Sequence, residues 1–374
     1  MNTFVLGTSL FFMCFAMISC SSFGSDPEGE HLQKIQESPQ YDKKKEKFVN
    51  RREAAMDKMR ENMSMWKAFK EFAFGSGNRV PKKKLPEIKP PDIKEFLQET
   101  DGIKFIWFGH STILVNYENT IILFDPVLSG SAAPFSFLVQ RFQPPILKAT
   151  ELPKIDYVVI SHDHYDHLDM ETIQSFKDKK TKFVTPLGVT SHIKSWGIPQ
   201  DRLLELDWWE STTLGNLEFI CTPAQHFSGR AGSNEAKTLW GSWVVKSETH
   251  RLYFSGDSGY DIHFKQIGDK YGPFDVAFVE NGQYNKMWHE VHLLPEETAQ
   301  AFLDLKGKKM VPIHWAMFEL SLHDWYEPIV KSEENAKKLG IDLLTPKFGQ
   351  IVSVTEENIF ERWWQKFLPT VDKK

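Results

Sequence analysis

Cysteine is scarce in this chain, with three residues among 374, at positions 14, 20 and 221. So few cysteines cannot form a disulfide framework, which excludes the small disulfide-rich class of secreted domain. The net charge is also small, −5 at neutral pH, and alone it gives no reason to expect a nucleic-acid partner. Sequence repeats with periods of roughly 20–50 residues are lacking as well, which excludes a solenoid or a propeller.

The remaining composition is typical of a soluble globular protein. Hydrophobic residues make up 41% and charged residues 25%, which excludes wholesale disorder, collagen and a polytopic membrane protein. The chain is long enough to bury one sizeable core. Charge is unevenly distributed, because residues 41–84 carry 14 basic and six acidic side chains, whereas residues 101–374 carry 28 basic and 36 acidic ones. Since a nucleic-acid channel is usually basic, we expect no nucleic-acid partner for the acidic part.

The first 20 residues have the pattern of a targeting segment. They carry no charge, and the run from Phe4 to Ile18 is almost wholly apolar. This run is shorter than the ~20 residues that span a bilayer and fits the core of a signal peptide. It ends in Met-Ile-Ser-Cys20 before two serines, which resembles a bacterial lipoprotein cleavage site. We therefore expect lipidation of Cys20 and an exported, membrane-anchored lipoprotein of the cell envelope. Because no Lys or Arg precedes the apolar run, an ordinary secretory signal and an uncleaved anchor are alternatives.

An N-terminal extension is predicted over residues 21–100. The polar stretch 21–40, with its two prolines, indicates a tether. Residues 41–75 have apolar side chains near helical spacing among many basic ones, which predicts either a solvated helical face or a surface that rests on anionic lipid. The Pro- and Lys-rich stretch 80–92 predicts a linker. The main domain is expected to occupy residues 101–368.

The main domain alternates short β-rich runs with helical stretches. The predicted strands lie at residues 103–108, 112–117, 120–124, 157–160, 217–222, 239–245, 251–254, 276–279 and 310–313, and the predicted helices at 169–176, 187–196, 295–305 and 332–339. Groups of strands with interleaved helices predict a layered α/β domain. Cys221 ends one apolar run and is predicted to be a buried core residue, not a nucleophile.

A dense cluster of histidines and carboxylates follows the predicted strand 157–160. His162, His164 and His167 lie within six residues of one another, interleaved with acids that include Asp166. Packing does not explain such a cluster, whereas imidazole and carboxylate are the ligands that suit zinc, manganese or iron. His162 and His164 can reach one ion, and Asp166 and His167 can reach a second.

Three further ligand candidates lie in other predicted strand-end loops. His226 ends the string Thr-Pro-Ala-Gln-His, Asp257 lies in a Ser-Gly-Asp-Ser-Gly turn, and His314 lies in Pro-Ile-His-Trp. Binding residues concentrate in loops of this kind. Each of the three alone would favour a structural role, but together with the histidine cluster they predict a site for two metal ions.

The spacing His-x-His-x-Asp-His at 162–167, followed by the His, Gly-Asp and His motifs in this order, resembles the metallo-β-lactamase superfamily over residues 103–355. That resemblance implies an αββα sandwich, an α/β fold with the metal ions at one edge. Within the superfamily, the strings Leu239-Trp-Gly-Ser-Trp243 and Thr222-Pro-Ala-Gln-His226 are similar to the N-acyl-phosphatidylethanolamine-hydrolysing phospholipases D and their bacterial relatives. The sugar-lactone hydrolases share the metal motif but resemble the chain less.

The resemblance also assigns a role to each candidate ligand. One of two divalent ions, expected to be Zn²⁺, would be held by His162, His164 and His226, and the other by Asp166, His167 and His314. Asp257 would bridge the two ions and orient the hydroxide that they share.

Four more residues acquire roles from the resemblance. Tyr165 and His292 match positions that contact substrate phosphate, although a surface histidine is an equal alternative for His292. His110 and Asp125 are expected to lie behind the ligands and to orient them. The function implied is a phospholipase D-type phosphodiesterase acting on N-acyl-phosphatidylethanolamine-like lipids at a membrane surface. A lactonase is one alternative, and a non-enzymatic surface lipoprotein is another that the intact ligand set argues against.

Overall fold

The structure, a computed structural model, describes residues 21–232 and 234–368. The predicted signal peptide, residues 1–20 with Cys20, lies outside the described residues. The helices are α1 Gly29–Ile35, α2 Glu53–Asn62, α3 Met65–Phe74, α4 Ile93–Phe96, α5 Met170–Gln174, α6 Thr190–Ser195, α7 His263–Tyr271, α8 Pro295–Asp304 and α9 Glu327–Leu339. The strands are β1 Tyr41–Asp42, β2 Lys47–Phe48, β3 Ile103–Trp107, β4 Ile113–Tyr117, β5 Thr120–Phe124, β6 Tyr157–Val159, β7 Lys182–Pro186, β8 Leu203–Leu206, β9 Ser211–Leu214, β10 Leu217–Thr222, β11 Ser242–Lys246, β12 Arg251–Phe254, β13 Val276–Glu280, β14 Lys309–Ile313, β15 Asp342–Leu343 and β16 Ile351–Ser353.

Two seven-stranded sheets form the main domain. Their strand orders are β16-β3-β4-β5-β6-β7-β8 and β15-β14-β13-β12-β11-β10-β9. In the first sheet the pairs from β16 to β5 are antiparallel and those from β5 to β8 parallel. In the second sheet the pairs from β15 to β12 are parallel and those from β12 to β9 are antiparallel. Helix α6 packs beside β8 and α8 beside β13, so helices accompany both sheets and the predicted αββα sandwich is confirmed.

The main core lies between the sheets because side chains alternate along each strand. In β12, the Phe254 ring stacks 4.8 Å from the ring of Phe124 in the opposite sheet. The neighbouring Tyr253 instead faces α7, where its ring lies 6.5 Å from that of Phe264. Burying a phenylalanine side chain contributes roughly 1.5–3 kcal/mol to the free energy of unfolding. The alternation therefore stabilises both the packing between the two sheets and the packing of α7 on the second sheet. Cys221 is fully buried in the main core, as predicted, and burial raises the pKa of its thiol.

The N-terminal extension folds against the main domain. Helical character was predicted for residues 41–75. Helices α2 and α3 occupy the later part of this stretch, whereas residues 41–48 form the short hairpin of β1 and β2. The prediction of a tether over residues 21–40 is wrong for the described part. The Trp196 indole donates to the Ser21 carbonyl at 2.7 Å, and the Arg230 guanidinium donates to the Ser22 carbonyl at 2.8 and 3.0 Å. The amino-acid composition of residues 21–40 does not indicate these contacts, because backbone carbonyls make them.

Residues 80–92, predicted to be a linker, contain no helix and no named strand. One isolated bridge joins Glu87 to Phe348. None of the helices in residues 21–232 and 234–368 combines the length and the apolar character needed to cross a bilayer.

Candidate metal centre

The ends of four strands bring the predicted ligands to one edge of the sandwich. His162 follows β6 by a short turn, His226 follows β10, Asp257 follows β12 and His314 directly follows β14. Strands β12 and β14 run in the same direction through β13, so their carboxyl ends lie at the same edge. The apolar residues of each strand are buried in the core, which holds the loops that follow them.

His162, His164 and His226 form the first ligand set. His164 Nδ1 lies 2.8 Å from His162 Nε2 and 3.2 Å from His226 Nε2. The other nitrogen of His226, Nδ1, lies 3.0 Å from the Val291 carbonyl, a contact that orients the ring and leaves Nε2 for a metal. Burial lowers the pKa of all three imidazoles, so they are neutral at pH 7 and able to coordinate.

Asp166, His167 and His314 form the second ligand set. Asp166 Oδ2 lies 3.2 Å from His314 Nε2 and 3.5 Å from His167 Nε2. His110 Nε2 approaches the same oxygen at 3.0 Å, and Asp125 Oδ2 lies 2.6 Å from His167 Nδ1. His110 and Asp125 therefore contact members of this set directly, in positions that fit the orienting role predicted for them.

Asp257 lies between the two sets. Its Oδ1 is 3.1 Å from His167 Nε2, and its Oδ2 is 3.0 Å from His314 Nε2. The same Oδ2 lies 3.7 Å from His226 Nε2 and 3.9 Å from His162 Nε2. Although burial alone raises the pKa of Asp257, the facing His167 and His314 imidazoles hold it well below its usual range. An ionised carboxylate within reach of both sets suits a bridging ligand.

The donor atoms of the centre fit divalent metal ions. The three histidines of the first set form one cluster of ligand atoms within 4.8 Å, and the second set forms another together with His110. Among the described residues, the buried atoms His167 Nε2 and Asp257 Oδ1 have no hydrogen-bond partner, because their 3.1 Å approach to each other does not have hydrogen-bond geometry. An unsatisfied buried polar atom costs about 1–3 kcal/mol, and a shared cation would remove this cost. Nitrogen and oxygen donors without a thiolate suit Zn²⁺, and also manganese and iron.

The two predicted substrate residues lie in different places. The half-buried His292 ring lies 5.2 Å from the rings of both His226 and His314, at the edge of the centre. The Tyr165 hydroxyl instead donates to the Arg230 carbonyl at 2.8 Å, and the Arg230 guanidinium lies 3.9 Å from the centre of the Tyr165 ring. Tyr165 also lines a cavity of about 330 Å³, whose wall contains none of the seven predicted ligands.

Glu280 is a member of the centre that sequence reasoning missed. It ends β13, is 0% exposed, and contacts His292 Nδ1 through Oε1. The same oxygen lies 3.5 Å from His314 Nδ1, while Oε2 accepts a hydrogen bond from the Ser258 backbone N–H. One buried acid therefore orients the His292 ring and lies within ion-pair distance of the His314 ring. The sequence signal that could have indicated Glu280 is an acid at the end of an apolar strand, Val-Ala-Phe-Val-Glu.

We expect Glu280→Gln to lower the rate of hydrolysis by roughly 10–100-fold, the usual effect of removing a residue that orients metal ligands. An amide cannot accept from both the His292 ring and the Ser258 backbone N–H with the strength of a carboxylate. Steady-state kinetics and metal analysis of the purified variant measure the effect. Glu296→Gln, which changes an exposed carboxylate on α8, is the matched control. Unchanged kcat, KM and metal content in Glu280→Gln would contradict the orienting role.

Other residues that support the loops of the centre, at residues 162–168 and at His226, were also missed. The Arg230 guanidinium donates to the carbonyls of Asp163 and Leu168 at 2.6 and 2.8 Å. In the N-terminal extension, the Asn50 amide donates to the His226 carbonyl at 2.7 Å and accepts from its N–H at 3.2 Å. These contacts join residues far apart in the chain, so no local sequence pattern indicates them.

Known proteins resemble the chain in both sequence and fold. A family model described as a beta-lactamase superfamily domain matches residues 120–315. An uncharacterized protein of Mycobacterium tuberculosis is 42% identical over 264 residues, which cover 69% of this chain and 71% of that protein. The N-acyl-phosphatidylethanolamine-hydrolyzing phospholipase D 1 of Caenorhabditis elegans is 35% identical over 247 residues, which cover 62% of this chain and 69% of that protein.

Among solved structures, that of Igni18, a metallo hydrolase from the archaeon Ignicoccus hospitalis, matches with a TM-score of 0.51 and 21% identity, covering 67% of this chain and 97% of that one. This likeness supports the fold, and the family model spans more than half of the chain. With its two clusters of ligand atoms at the edge of the sandwich, the chain belongs to the metallo-β-lactamase superfamily and is a metal-dependent hydrolase.

Proposed function

We propose that the chain is a phospholipase D-type phosphodiesterase that hydrolyses N-acyl-phosphatidylethanolamine-like lipids. The observation that carries the proposal is the position of His292, beside both ligand sets and held by Glu280. A donor that belongs to neither set, at the edge of the centre, suits a phosphate oxygen of the substrate. The relative in Caenorhabditis elegans, whose name states this activity, supports the choice of substrate.

Each residue of the centre has a separate role in the proposed phosphodiester hydrolysis. When bound, two divalent ions, which we propose to be Zn²⁺, activate water at neutral pH and stabilise negative charge on the phosphoryl group. The ionised Asp257 carboxylate, which contacts both sets, accepts a hydrogen bond from the attacking water and orients it. Glu280 accepts from Nδ1 of His292, so Nε2 donates to a non-bridging phosphate oxygen when the imidazole carries a proton on both nitrogens. Displacement on the headgroup side of phosphorus releases the headgroup alcohol.

The cavity beside Tyr165 supports an amphiphilic substrate. Its apolar wall includes Pro134 and Phe135, from the loop at residues 129–145, and Met170 of α5. Tyr165 belongs to this wall and lies in the chain between the predicted ligands His164 and Asp166, so the cavity borders the loop that carries them. A volume of about 330 Å³ accommodates part of an acyl chain, and apolar burial there contributes ~0.8 kcal/mol per methylene.

We also propose that the protein is an exported lipoprotein attached through Cys20 to a membrane of the cell envelope. The support is the sequence pattern that ends in Ile-Ser-Cys20. Ser21 and Ser22 are held by Trp196 and Arg230, and Ser22 lines the cavity beside Tyr165. An acyl group on the residue that precedes Ser21 would therefore enter the bilayer close to the substrate cavity.

A substrate panel tests the proposed activity. Metal-loaded protein is expected to cleave long-chain N-acyl-phosphatidylethanolamine in micelles faster than short soluble diesters. His292→Ala is expected to lower phosphodiester turnover by roughly 100-fold, the scale of losing one donor to a developing charge, with the metal content unchanged. His289→Ala, which removes a partly exposed histidine paired with Glu297, is the control. A protein that opens sugar lactones but ignores every phospholipid would overturn the proposal in favour of a lactonase.

A further inference from the structure

Helix α3 presents aromatic side chains to solvent. Trp66, Phe69 and Phe74 are 65%, 56% and 82% exposed, and the rings of Trp66 and Phe69 stack 5.7 Å apart. Among the side chains of α3 that the structure describes, none is fully buried. Single exposed hydrophobic residues need no explanation, but three aromatic side chains on one ten-residue helix form a patch of the kind that marks an interaction site.

Most of the basic residues around this patch lack an ion-pair partner among the described residues. Residues 64–84 contain six basic side chains and one acidic side chain. Arg79 pairs with Glu319 and Lys84 with Glu87, but in residues 21–232 and 234–368 no ion-pair partner is found for the remaining four. These four are Lys67, Lys70, Lys82 and Lys83.

The preceding helix, α2, shows the opposite arrangement. Arg52, just before α2, pairs with Glu290 at 3.1 Å, and Arg60 pairs with Glu235 at 2.7 Å. The positive charges near α2 therefore attach the extension to the acidic domain. The lysines of α3 make no such ion pairs among the described residues. The basic residues of the stretch 41–84 therefore fall into two groups, one that attaches the extension to the main domain and one that does not.

Contacts connect α3 to the stretch that follows the last metal ligand. The Arg79 guanidinium donates to the Glu71 and Phe72 carbonyls at 3.0 and 2.7 Å, and it pairs with Glu319 at 3.0 Å. The neighbouring Phe318 ring packs 5.2 Å from His110 of the metal centre. Helix α3 is thus held beside the centre.

Residues 317–319 also contact a loop that carries a second exposed apolar group. Phe137 and Leu138, in the loop that lines the cavity, are 63% and 44% exposed. In that loop the Arg141 guanidinium lies 5.1 Å from the Phe318 ring, and the Phe142 N–H donates to the Met317 carbonyl at 2.9 Å. Exposed apolar groups therefore occur on both elements that pack against residues 317–319.

We propose that α3, with Lys82 and Lys83, is a docking surface for an anionic lipid bilayer. Trp66, Lys70 and Phe74 follow one another at a spacing of four residues, so aromatic and basic side chains share one face of the helix. On a bilayer the aromatic rings enter the interface while the ammonium groups contact anionic headgroups. A two-fold contact with a second copy of the chain would instead set these unpaired lysines against like charges. Binding of α3 to a bilayer does not depend on the proposed function. Only the purpose of that binding, delivery of lipid to the metal centre, rests on it.

Vesicle cosedimentation tests this docking surface without any need for turnover. Full chains carrying Cys20→Ser, so that acylation does not contribute, are mixed with vesicles of phosphatidylglycerol or of phosphatidylcholine. We expect Lys67→Glu/Lys70→Glu to lower partition into phosphatidylglycerol by roughly tenfold or more, and Trp66→Ala/Phe69→Ala to lower it as well. Lys337→Glu/Lys338→Glu, on exposed positions of α9, makes the same change in net charge and is expected to have little effect.

The outcomes separate docking from catalysis. Hydrolysis of a short soluble diester is expected to be unchanged in all of these variants, and thermal melting verifies that each is folded. Equal partition of the α3 variants and the parent chain would overturn the proposal. Loss of a dimer in the α3 variants, with unchanged vesicle binding, would assign the surface to a second copy. Vesicle binding that depends on α3 in a protein that cleaves no phospholipid would keep the docking surface and reject the proposed activity.

Discussion

Asp257→Ala is expected to reduce hydrolysis by about three orders of magnitude or more and to lower the metal content of the protein. The carboxylate lies 3.0–3.1 Å from nitrogen atoms of His167 and His314 and within 4 Å of two histidines of the first set. Its removal takes a ligand from both sets and the orienting acceptor from the attacking water. Metal ions supply several kcal/mol of transition-state stabilisation, and each 1.36 kcal/mol is about a factor of ten in rate.

The same substitution changes the protonation of the second set. Although burial alone lowers the pKa of His167 and His314, Asp257 is the first of the charges that raise it well above its usual value. Without that carboxylate the pKa of both buried imidazoles is expected to fall, because the negative charge that favours their protonated form is gone.

Elemental analysis and steady-state kinetics on one preparation check the Asp257 prediction. Asp261→Asn is the matched control, because Asp261 follows in the same loop but pairs with Arg51 on the surface of the extension. The control is expected to keep its metal and most of its rate. An Asp257→Ala variant with the metal content and rate of the parent protein would show that Asp257 is not a ligand.

Cys20→Ser is expected to release most of the protein from the membrane fraction or to block its processing. A single acyl chain gives only marginal membrane binding, so stable attachment takes a second signal such as another chain or a basic surface. The lysines of α3 supply such a surface under our proposal. Loss of the acyl group should therefore leave a weak, salt-sensitive association, which screening by added salt removes.

Fractionation of cells expressing each variant, with mass analysis of the N-terminal peptide, checks the Cys20 prediction. Cys14→Ser is the matched control, because Cys14 lies within the apolar run that cleavage would discard. It is expected to leave both location and processing unchanged. If Cys20→Ser protein stays in the membrane at high salt with the same N-terminus as the parent, an uncleaved anchor replaces the lipoprotein proposal.

The αββα sandwich was predictable because its evidence is local in the sequence. An apolar run followed at once by His162, or by His314, marks a strand that ends at a functional edge, and the order of motifs identifies the family. Strand β9, Ser-Thr-Thr-Leu, was missed because a polar edge strand lacks hydrophobic periodicity. Strand β8, Leu-Leu-Glu-Leu, is too short to distinguish from a turn of helix.

Residues that support the centre were less predictable because their roles depend on long-range contacts. Asn50 supports His226 from 176 positions away, and Arg230 holds the carbonyl of Asp163 from 67 positions away. An acid at the end of an apolar strand is a local signal for Glu280, but only the structure shows that its carboxylate contacts His292 and lies 3.5 Å from His314. The predicted tether failed for the same reason, since its partners lie on elements far along the chain.

The most direct test is titration of metal-free protein with Zn²⁺ while hydrolysis of N-acyl-phosphatidylethanolamine is followed. Two ligand sets joined by Asp257 predict no turnover without metal, and turnover that rises until two ions are bound per chain. Full activity in protein verified by elemental analysis to be free of metal would contradict a metal-dependent hydrolase.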